Sequence, residues 1–417
     1  MLNKFKYKKN LSCRICNNDN LINYLELGNH PPSNSFIEEK DVSNEQFFPL
    51  TVQLCVNCGL SQLDTVVSSQ DIFDEYLYLS STSRALVNHY EKMTKTIIHK
   101  FCPQTDSLIV DIGCNDGITL KCYPKNHFNL LGIEPSSSGD FATKAGLEVE
   151  KNFFSEEFSN ILVSKYGQAT IITATNVVAH VDNIRDFVSG ISIFLKKNGI
   201  FVIEFPYLKN MLEENFFDII YHEHLSYLSI TPLKHLFSLY NLKIFNIETV
   251  NVGASGPGLR IYVSHESSKF SSDNIVSEYL NMEKKLNFKK IEPYISFSKT
   301  VLSIKDDLIS LIKKLNNSNK IVAAYGAPAK GNTMLNFLGL DKNQIKAVAD
   351  NTPLKIGKLT PGTHIPIVTD EEFETLNVNY ALLLTWNYLE FFLNNSNFIK
   401  LGGKFIVPFP KPEIFPK

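Results

Sequence analysis

The chain has 417 residues, 44% of them hydrophobic, too many for one ordinary core and ample for two or three. Lys and Arg number 41 against 43 Asp and Glu, so the net charge is −2, the pI is near 6.6, and no broad basic field exists to hold a nucleic acid by its phosphates. No run reaches the roughly 18 apolar residues of a membrane helix; even 190–208 is interrupted by Lys196, Lys197, Asn198, Glu204 and Pro206. The first ten residues are basic but run into Cys13-Arg14-Ile15-Cys16 without the apolar stretch of a signal peptide. A cytoplasmic protein working as a monomer, with neither nucleic acid nor membrane as partner, is the expectation.

Four of the seven cysteines fall into two identical spacings, Cys13-x-x-Cys16 and Cys55-x-x-Cys58, separated by 38 residues. Each pair can bend two thiolates onto one tetrahedral ion, and two pairs close its shell, leaving no position for catalysis. The expectation is a structural zinc site, because a segment of this size has little core of its own and metal binding supplies folding energy. An RNA-binding knuckle is the rival use, but Arg14 and the N-terminal lysines make too small a patch. Cys102, Cys114 and Cys122 have no ligand spacing. Between the pairs, residues 28–35 (Gly-Asn-His-Pro-Pro-Ser-Asn-Ser) read as turn chemistry. Tyr76 and Tyr78 then precede a helix whose Leu86, Tyr90, Met93 and Ile97 recur at helical spacing; by pattern alone these tyrosines read as packing.

At residues 108–117 the apolar run Leu-Ile-Val breaks into Asp111-x-Gly113-x-x-x-Gly117, as a strand turns into a helix around a nucleotide cofactor. A dinucleotide fingerprint would have a glycine where Asp111 stands. A carboxylate suits a cationic amino-acid tail and opposes a pyrophosphate, so S-adenosylmethionine is favoured over NAD. Glu134 ends the next apolar run and can accept from both ribose hydroxyls. With Asn115 from the loop, these residues are the expected cofactor contacts. Strands at 107–112, 129–133, 169–174 and 199–205 alternate with helical stretches, the doubly wound α/β pattern. Ligands on such sheets bind beyond the carboxyl ends of strands, which also selects His180, for which structural and catalytic roles are evenly open.

The densest polar cluster is Tyr221-His222-Glu223-His224, between two apolar runs. Histidines at i and i+2 do not share a helix face, and nothing nearby supplies a third metal ligand, so a base with orienting partners suits the cluster better. Residues 251–260 form a glycine-rich loop that ends at Arg260, a donor available for an oxyanion or carbonyl unless the loop is simply a hairpin connection. Residues 273–319 read as long helices broken at Pro293. A second strand-turn-helix unit then places Gly326, Lys330 and Gly331 where backbone N–H groups and an ammonium can hold a phosphate. It lacks the full P-loop spacing, which argues against ATP hydrolysis. Strands at 345–349, 380–384 and 403–407 complete a second α/β unit.

In this order, the four-cysteine knuckle, the Asp-x-Gly-x-x-x-Gly loop, Tyr-His-Glu-His and Gly-Ala-Pro-Ala-Lys-Gly resemble the three-domain sugar C-methyltransferases, and the likeness covers nearly the whole chain. It implies an α/β protein with a zinc-binding domain at 1–75, a doubly wound S-adenosylmethionine domain at 76–268 and a Rossmann-like sugar-nucleotide domain at 269–417. Implied too are C-methylation of a nucleotide-linked 4-keto-deoxysugar, typically at C3, His224 as base, and Tyr221, Glu223, His180 and Tyr76 around the reacting carbon. An O- or N-methyltransferase acting on a sugar nucleotide, or a sugar-nucleotide-binding protein without turnover, is the alternative.

Overall fold

The computed structural model describes residues 5–73, 79–251 and 257–417. At the N-terminal end, strands Leu21–His30, Phe48–Cys55 and Ser61–Leu63 form an antiparallel sheet. Its fourth strand comes from far along the chain: Ser226–Tyr227 pairs antiparallel with the edge at 61–62. The Tyr-His-Glu-His cluster therefore runs directly into the cysteine-bearing sheet, a connection across some 160 residues that no local pattern in the chain encodes.

The central sheet has seven strands in the order 148–150, 129–133, 108–112, 169–175, 195–206, 258–265, 242–250. Neighbours are parallel except that Gly258–His265 runs against both of its partners. The order reverses between Leu108–Ile112 and Ala169–Thr175, so a crevice opens beyond their carboxyl ends, where doubly wound sheets bind ligands. All four expected strands are present. Leu195–Pro206 begins earlier than expected because a register irregularity between Leu195 and Ile200 lets polar Lys196, Lys197 and Asn198 remain in the strand while staying exposed. The helix expected after Gly113 is absent: turns lead only to a short 3₁₀ segment, Leu120–Cys122. One face of the sheet is covered by helix Arg84–Phe101, which starts at Ser83, whose hydroxyl accepts from Leu86 N–H, and buries Leu86, Tyr90, Met93 and Ile97.

Helices Asn274–Lys285 and Glu292–Asn317 follow, with Pro293 in the first turn of the second, where its missing N–H costs nothing. The last sheet has the order 367–368, 348–349, 322–325, 380–383, 404–407, 413–415, parallel except at its final strand. Its order reverses between Val322–Tyr325 and Tyr380–Leu383, giving a second crevice of the same type.

The hydrophobic cores do not respect the order of the chain. Cys13, Ile15, Cys55, Cys58 and Leu60 pack into the same core as the central sheet. Phe216, Phe217, Ile219, Ile220 and Leu225 are buried between the N-terminal strands and the last sheet, in a core that includes Leu50, Leu54, Val322 and Leu382. Among the described residues, no helix is long and apolar enough to cross a membrane.

Candidate active site

Gly113 leaves the first central strand with φ +69, and a Cβ there would lie 2.4 Å from Val177, so the turn requires a residue without a side chain. Gly117 has φ +81 and an equally close approach to Leu147. Between them, Asn115 adopts a left-handed conformation, its N–H donates to Glu134 Oε2 at 2.9 Å, and Ser136 N–H donates to Oε1 at 3.0 Å. Glu134 thus shapes the loop while keeping lone pairs for further donors, as ribose recognition requires. Asp111 lies beneath the loop, accepts from the Thr173 hydroxyl at 2.6 Å, and burial pushes its carboxyl up to about 7. From the other side, Ser80 N–H donates to Asn115 Oδ1 at 2.9 Å, and the Ser81 hydroxyl donates to Asp116. The glycine turn, the oriented acid and their place at the crevice of the sheet fit S-adenosylmethionine.

Residues 221–224 form a tight turn in which His224 N–H donates to the Tyr221 carbonyl at 2.8 Å. This brings the two side chains together: their rings are 4.0 Å apart, and the Tyr221 hydroxyl lies 2.9 Å from His224 Nε2. On the far side of the ring, Nδ1 is 2.7 Å from the Ile219 carbonyl, which can only accept, so Nδ1 carries the proton and Nε2 the lone pair. His180, from the short helical turn after Ala169–Thr175, packs its ring edge-on against His224 at 4.8 Å. Burial lowers His224 to about 3, with His180 adding to the effect, and burial lowers His180 to about 4. Glu223, also buried, is pushed up to about 7, and both its oxygens accept from Asn34 Nδ2, at 2.7 and 2.9 Å. His222 points away: its Nε2 meets the Pro49 carbonyl at 3.1 Å and its ring packs edge-on to Phe48.

The turn is held at both ends. Upstream, Phe216 packs on Trp386, Phe217 on Phe337 and Phe409, and Asp218 accepts from Trp386 Nε1 at 2.7 Å. Downstream, Leu63 N–H donates to the Leu225 carbonyl just before the inter-sheet pairing. Lys330 lies in the second crevice, 5% exposed, with Nζ 2.6 Å from Asn387 Oδ1 and 4.3 Å from the centre of the Trp386 ring. Burial lowers its ammonium to about 8, while Asp218 acts to raise it.

Two expectations need correction. Arg260 is not available for an oxyanion or carbonyl: its guanidinium bonds Glu204 at 2.5 and 2.6 Å and Glu248 at 3.0 Å, and it is 7% exposed. It lies within a strand opposite both acids, a pairing across neighbouring strands that its place after a glycine-rich loop did not reveal. The N–H groups of Gly326 and Gly331 are not open to a phosphate, since they donate to the Ala349 carbonyl at 2.8 Å and the Pro328 carbonyl at 2.9 Å, and a Cβ at either position would meet Thr385 at 2.6 Å or Leu384 at 2.8 Å. Tyr76, Tyr78 and residues 252–256 of the glycine-rich loop lie outside the described residues. Asn34 lies in a stretch that reads as a turn, and nothing in Pro-Pro-Ser-Asn-Ser names a carboxylate 189 residues away.

The sulfurs of Cys13, Cys16, Cys55 and Cys58 all lie within 4.8 Å of one another, with Cys13 to Cys58 at 3.4 Å and Cys16 to Cys55 at 3.5 Å. Four ligands about 2.3 Å from one zinc ion would sit near 3.8 Å apart, so the cluster fits a closed tetrahedral site. Asn17 and Gly59, each following the second cysteine of a pair, take positive φ and turn their N–H groups back to the Cys13 and Cys55 carbonyls.

Three family models match the chain in succession: a zinc binding domain over residues 13–73, a methyltransferase domain over 87–247 and a C-methyltransferase C-terminal domain over 253–410. The C-methyltransferase NovU of Streptomyces niveus is 29% identical over 405 residues, 96% of this chain and 96% of its own. A ubiquinone biosynthesis O-methyltransferase of Rhodopseudomonas palustris (strain TIE-1) is 26% identical over 98 residues, 23% of this chain and 38% of that protein. Among solved structures, magnesium protoporphyrin IX methyltransferase from Synechocystis PCC 6803 with bound SAM is 10% identical over 43% of this chain and 80% of that one, at a TM-score of 0.33. With its four-cysteine cluster, its methyl-donor loop, three successive matches to zinc-binding, methyltransferase and C-methyltransferase models, and a C-methyltransferase similar to it over nearly its whole length, the chain is an S-adenosylmethionine-dependent methyltransferase.

Proposed function

We propose that the enzyme methylates a nucleotide-linked 4-keto-deoxysugar at C3, with His224 as the base. The observation that supports this most is the fixed tautomer of His224. A proton on Nδ1, held by the Ile219 carbonyl, leaves a lone pair on Nε2 next to a phenol, with His180 from beyond the donor-sheet strand 169–175 packed against the ring and Phe217, just upstream, packed on Phe337 of helix Ala329–Leu338. A carbon next to a carbonyl becomes nucleophilic only after it loses a proton, so C-methylation needs such a base where O-methylation of an acidic hydroxyl does not.

In this reading Nε2 takes the proton from C3, and the C–H electron pair becomes the enolate double bond as the carbonyl oxygen gains negative charge. The Tyr221 hydroxyl, released from Nε2 when that atom is protonated, can donate to this oxygen. Burial keeps the free imidazole neutral, and the developing enolate charge offsets the cost of the imidazolium beside it. S-adenosylmethionine, when bound, supplies an electrophilic methyl group for the enolate carbon. Glu134 and the Gly113 turn orient the donor, while Lys330, Trp386 and Asn387 line the crevice that we assign to the sugar nucleotide. Domain limits near 75 and 268 go with this division of labour.

The test is mass spectrometry after incubation with the methyl donor and a panel of nucleotide-linked 4-keto sugars. A gain of one methyl group on carbon, with solvent deuterium entering at C3 beforehand, is the expected result. Methylation of a hydroxyl or amino group without exchange at carbon would overturn the proposal.

A further inference from the structure

We propose that Asn34, from the cysteine-bearing end of the chain, is a positioning residue for methyl transfer that acts through Glu223. The inference rests on the reading of residues 221–224 as the catalytic turn. Asn34 Nδ2 lies 2.7 and 2.9 Å from the two carboxylate oxygens of Glu223, which is 3% exposed. Among the described residues, this amide is the carboxylate's one side-chain partner. Two of its roughly four lone-pair sites are then occupied, and the rest stay free for a hydroxyl or amino group of the acceptor.

The amide can orient Glu223 only if its own loop is fixed, and that loop is braced by a helix some 300 residues further along the chain. Asn332 Nδ2 donates to the Ser33 carbonyl at 2.7 Å, and the Ser33 hydroxyl lies 3.4 Å from that of Thr333, both on helix Ala329–Leu338. Pro31 and Pro32 restrict the backbone on its approach, and Ser35 N–H closes a turn onto the Pro32 carbonyl at 3.0 Å. One short loop thus links the sheet next to the zinc site, the catalytic turn and the helix bordering the second crevice.

Stability alone gives no reason for this pair. A buried carboxylate facing a single neutral amide is a costly arrangement, and apolar side chains of similar volume would serve a fold better. Orientation explains it: Glu223 shares a four-residue turn with His224, so a carboxylate that swings also disturbs the group an acceptor must meet next to the base.

The experiment compares the full-length parent with Asn34→Ala, Glu223→Gln, the double variant Asn34→Ala/Glu223→Gln, and the exchanged pair Asn34→Asp/Glu223→Gln. Melting temperature is measured with steady-state methyl transfer to whichever acceptor the parent methylates, from a panel of nucleotide-linked keto sugars extended with hydroxyl acceptors. Asn34→Ala should lower kcat on the order of 10²-fold, as expected of a misplaced reactive group, with the donor KM unchanged. In the Glu223→Gln background the same substitution should lower kcat no further. The exchanged pair restores a donor facing a carboxylate, so it should recover the parental melting temperature while turning over as slowly as Glu223→Gln. Should Asn34→Ala not fold, Asn34→Gln keeps the amide on a longer stem and should fold with reduced kcat. Additive losses in the double variant, parental kcat in Asn34→Ala, or recovery of kcat in the exchanged pair would overturn the inference. If the parent methylates only acceptors outside the nucleotide sugars, the proposed function fails, and the same comparison still decides the role of Asn34.

Discussion

Tyr221 and His224 face each other across one tight turn, with the phenol donating to Nε2 at 2.9 Å while Nδ1–H is tied to the Ile219 carbonyl. His222, between them in sequence, belongs to a different environment, against Pro49 and Phe48. Substituting the two histidines should therefore have unequal effects. His224→Ala should lower kcat roughly 10²- to 10⁴-fold and abolish deuterium exchange at the acceptor carbon, with donor affinity retained. His222→Gln, whose amide can still donate to Pro49, should keep most of the activity. Steady-state rates at saturating donor distinguish them, and equal losses would move the base away from His224.

The buried histidines also set a pH dependence of stability. Burial holds His222 at about 4 in the folded chain, against about 6.5 for an exposed imidazole, so the unfolded state binds more protons between these values. Stability should fall as the pH drops from 6.5 towards 4. This residue alone should cost roughly 1.5–2 kcal/mol between pH 6.5 and 5. Denaturation at the two pH values should show a smaller loss in His222→Gln than in the parent.

Glu134 accepts from two backbone N–H groups of the donor loop and its neighbour, so Glu134→Ala removes the support for the turn together with the acceptor we propose for the ribose. Loss of charged hydrogen bonds of about 1.5–3 kcal/mol predicts at least a tenfold weaker affinity for S-adenosylmethionine by calorimetry, together with a lower melting temperature. Unchanged affinity would show that the acid serves the loop alone.

Zinc should be present at one ion per chain by elemental analysis. Cys13→Ser should reduce it and lower the melting temperature, because three of the four cysteines pack into the core of the central sheet. It should also lower kcat, since the strand that follows the Tyr221–His224 turn, which we propose to be catalytic, pairs with the edge of the cysteine-bearing sheet. Donor affinity should change least. A loss of donor affinity as large as the loss of kcat would place the effect of zinc on the donor loop instead.

What the sequence determined by itself is whatever local chemistry dictates. The two CxxC spacings name their metal because only a few geometries bring paired thiolates onto one ion. Gly113 and Gly117 mark positive-φ turns that other residues resist, and the apolar runs at 108–112, 129–133 and 169–175 are buried strands whose composition leaves few alternatives. Tertiary structure decided which distant groups meet. It set Arg260 opposite Glu204 and Glu248, tethered Lys330 between Asn387 and Trp386, turned His222 away from His224, and brought Asn34 to Glu223. A side chain's availability for a ligand depends on its partners after folding, and hydrogen-bond partners brought together from different elements leave no trace in local periodicity.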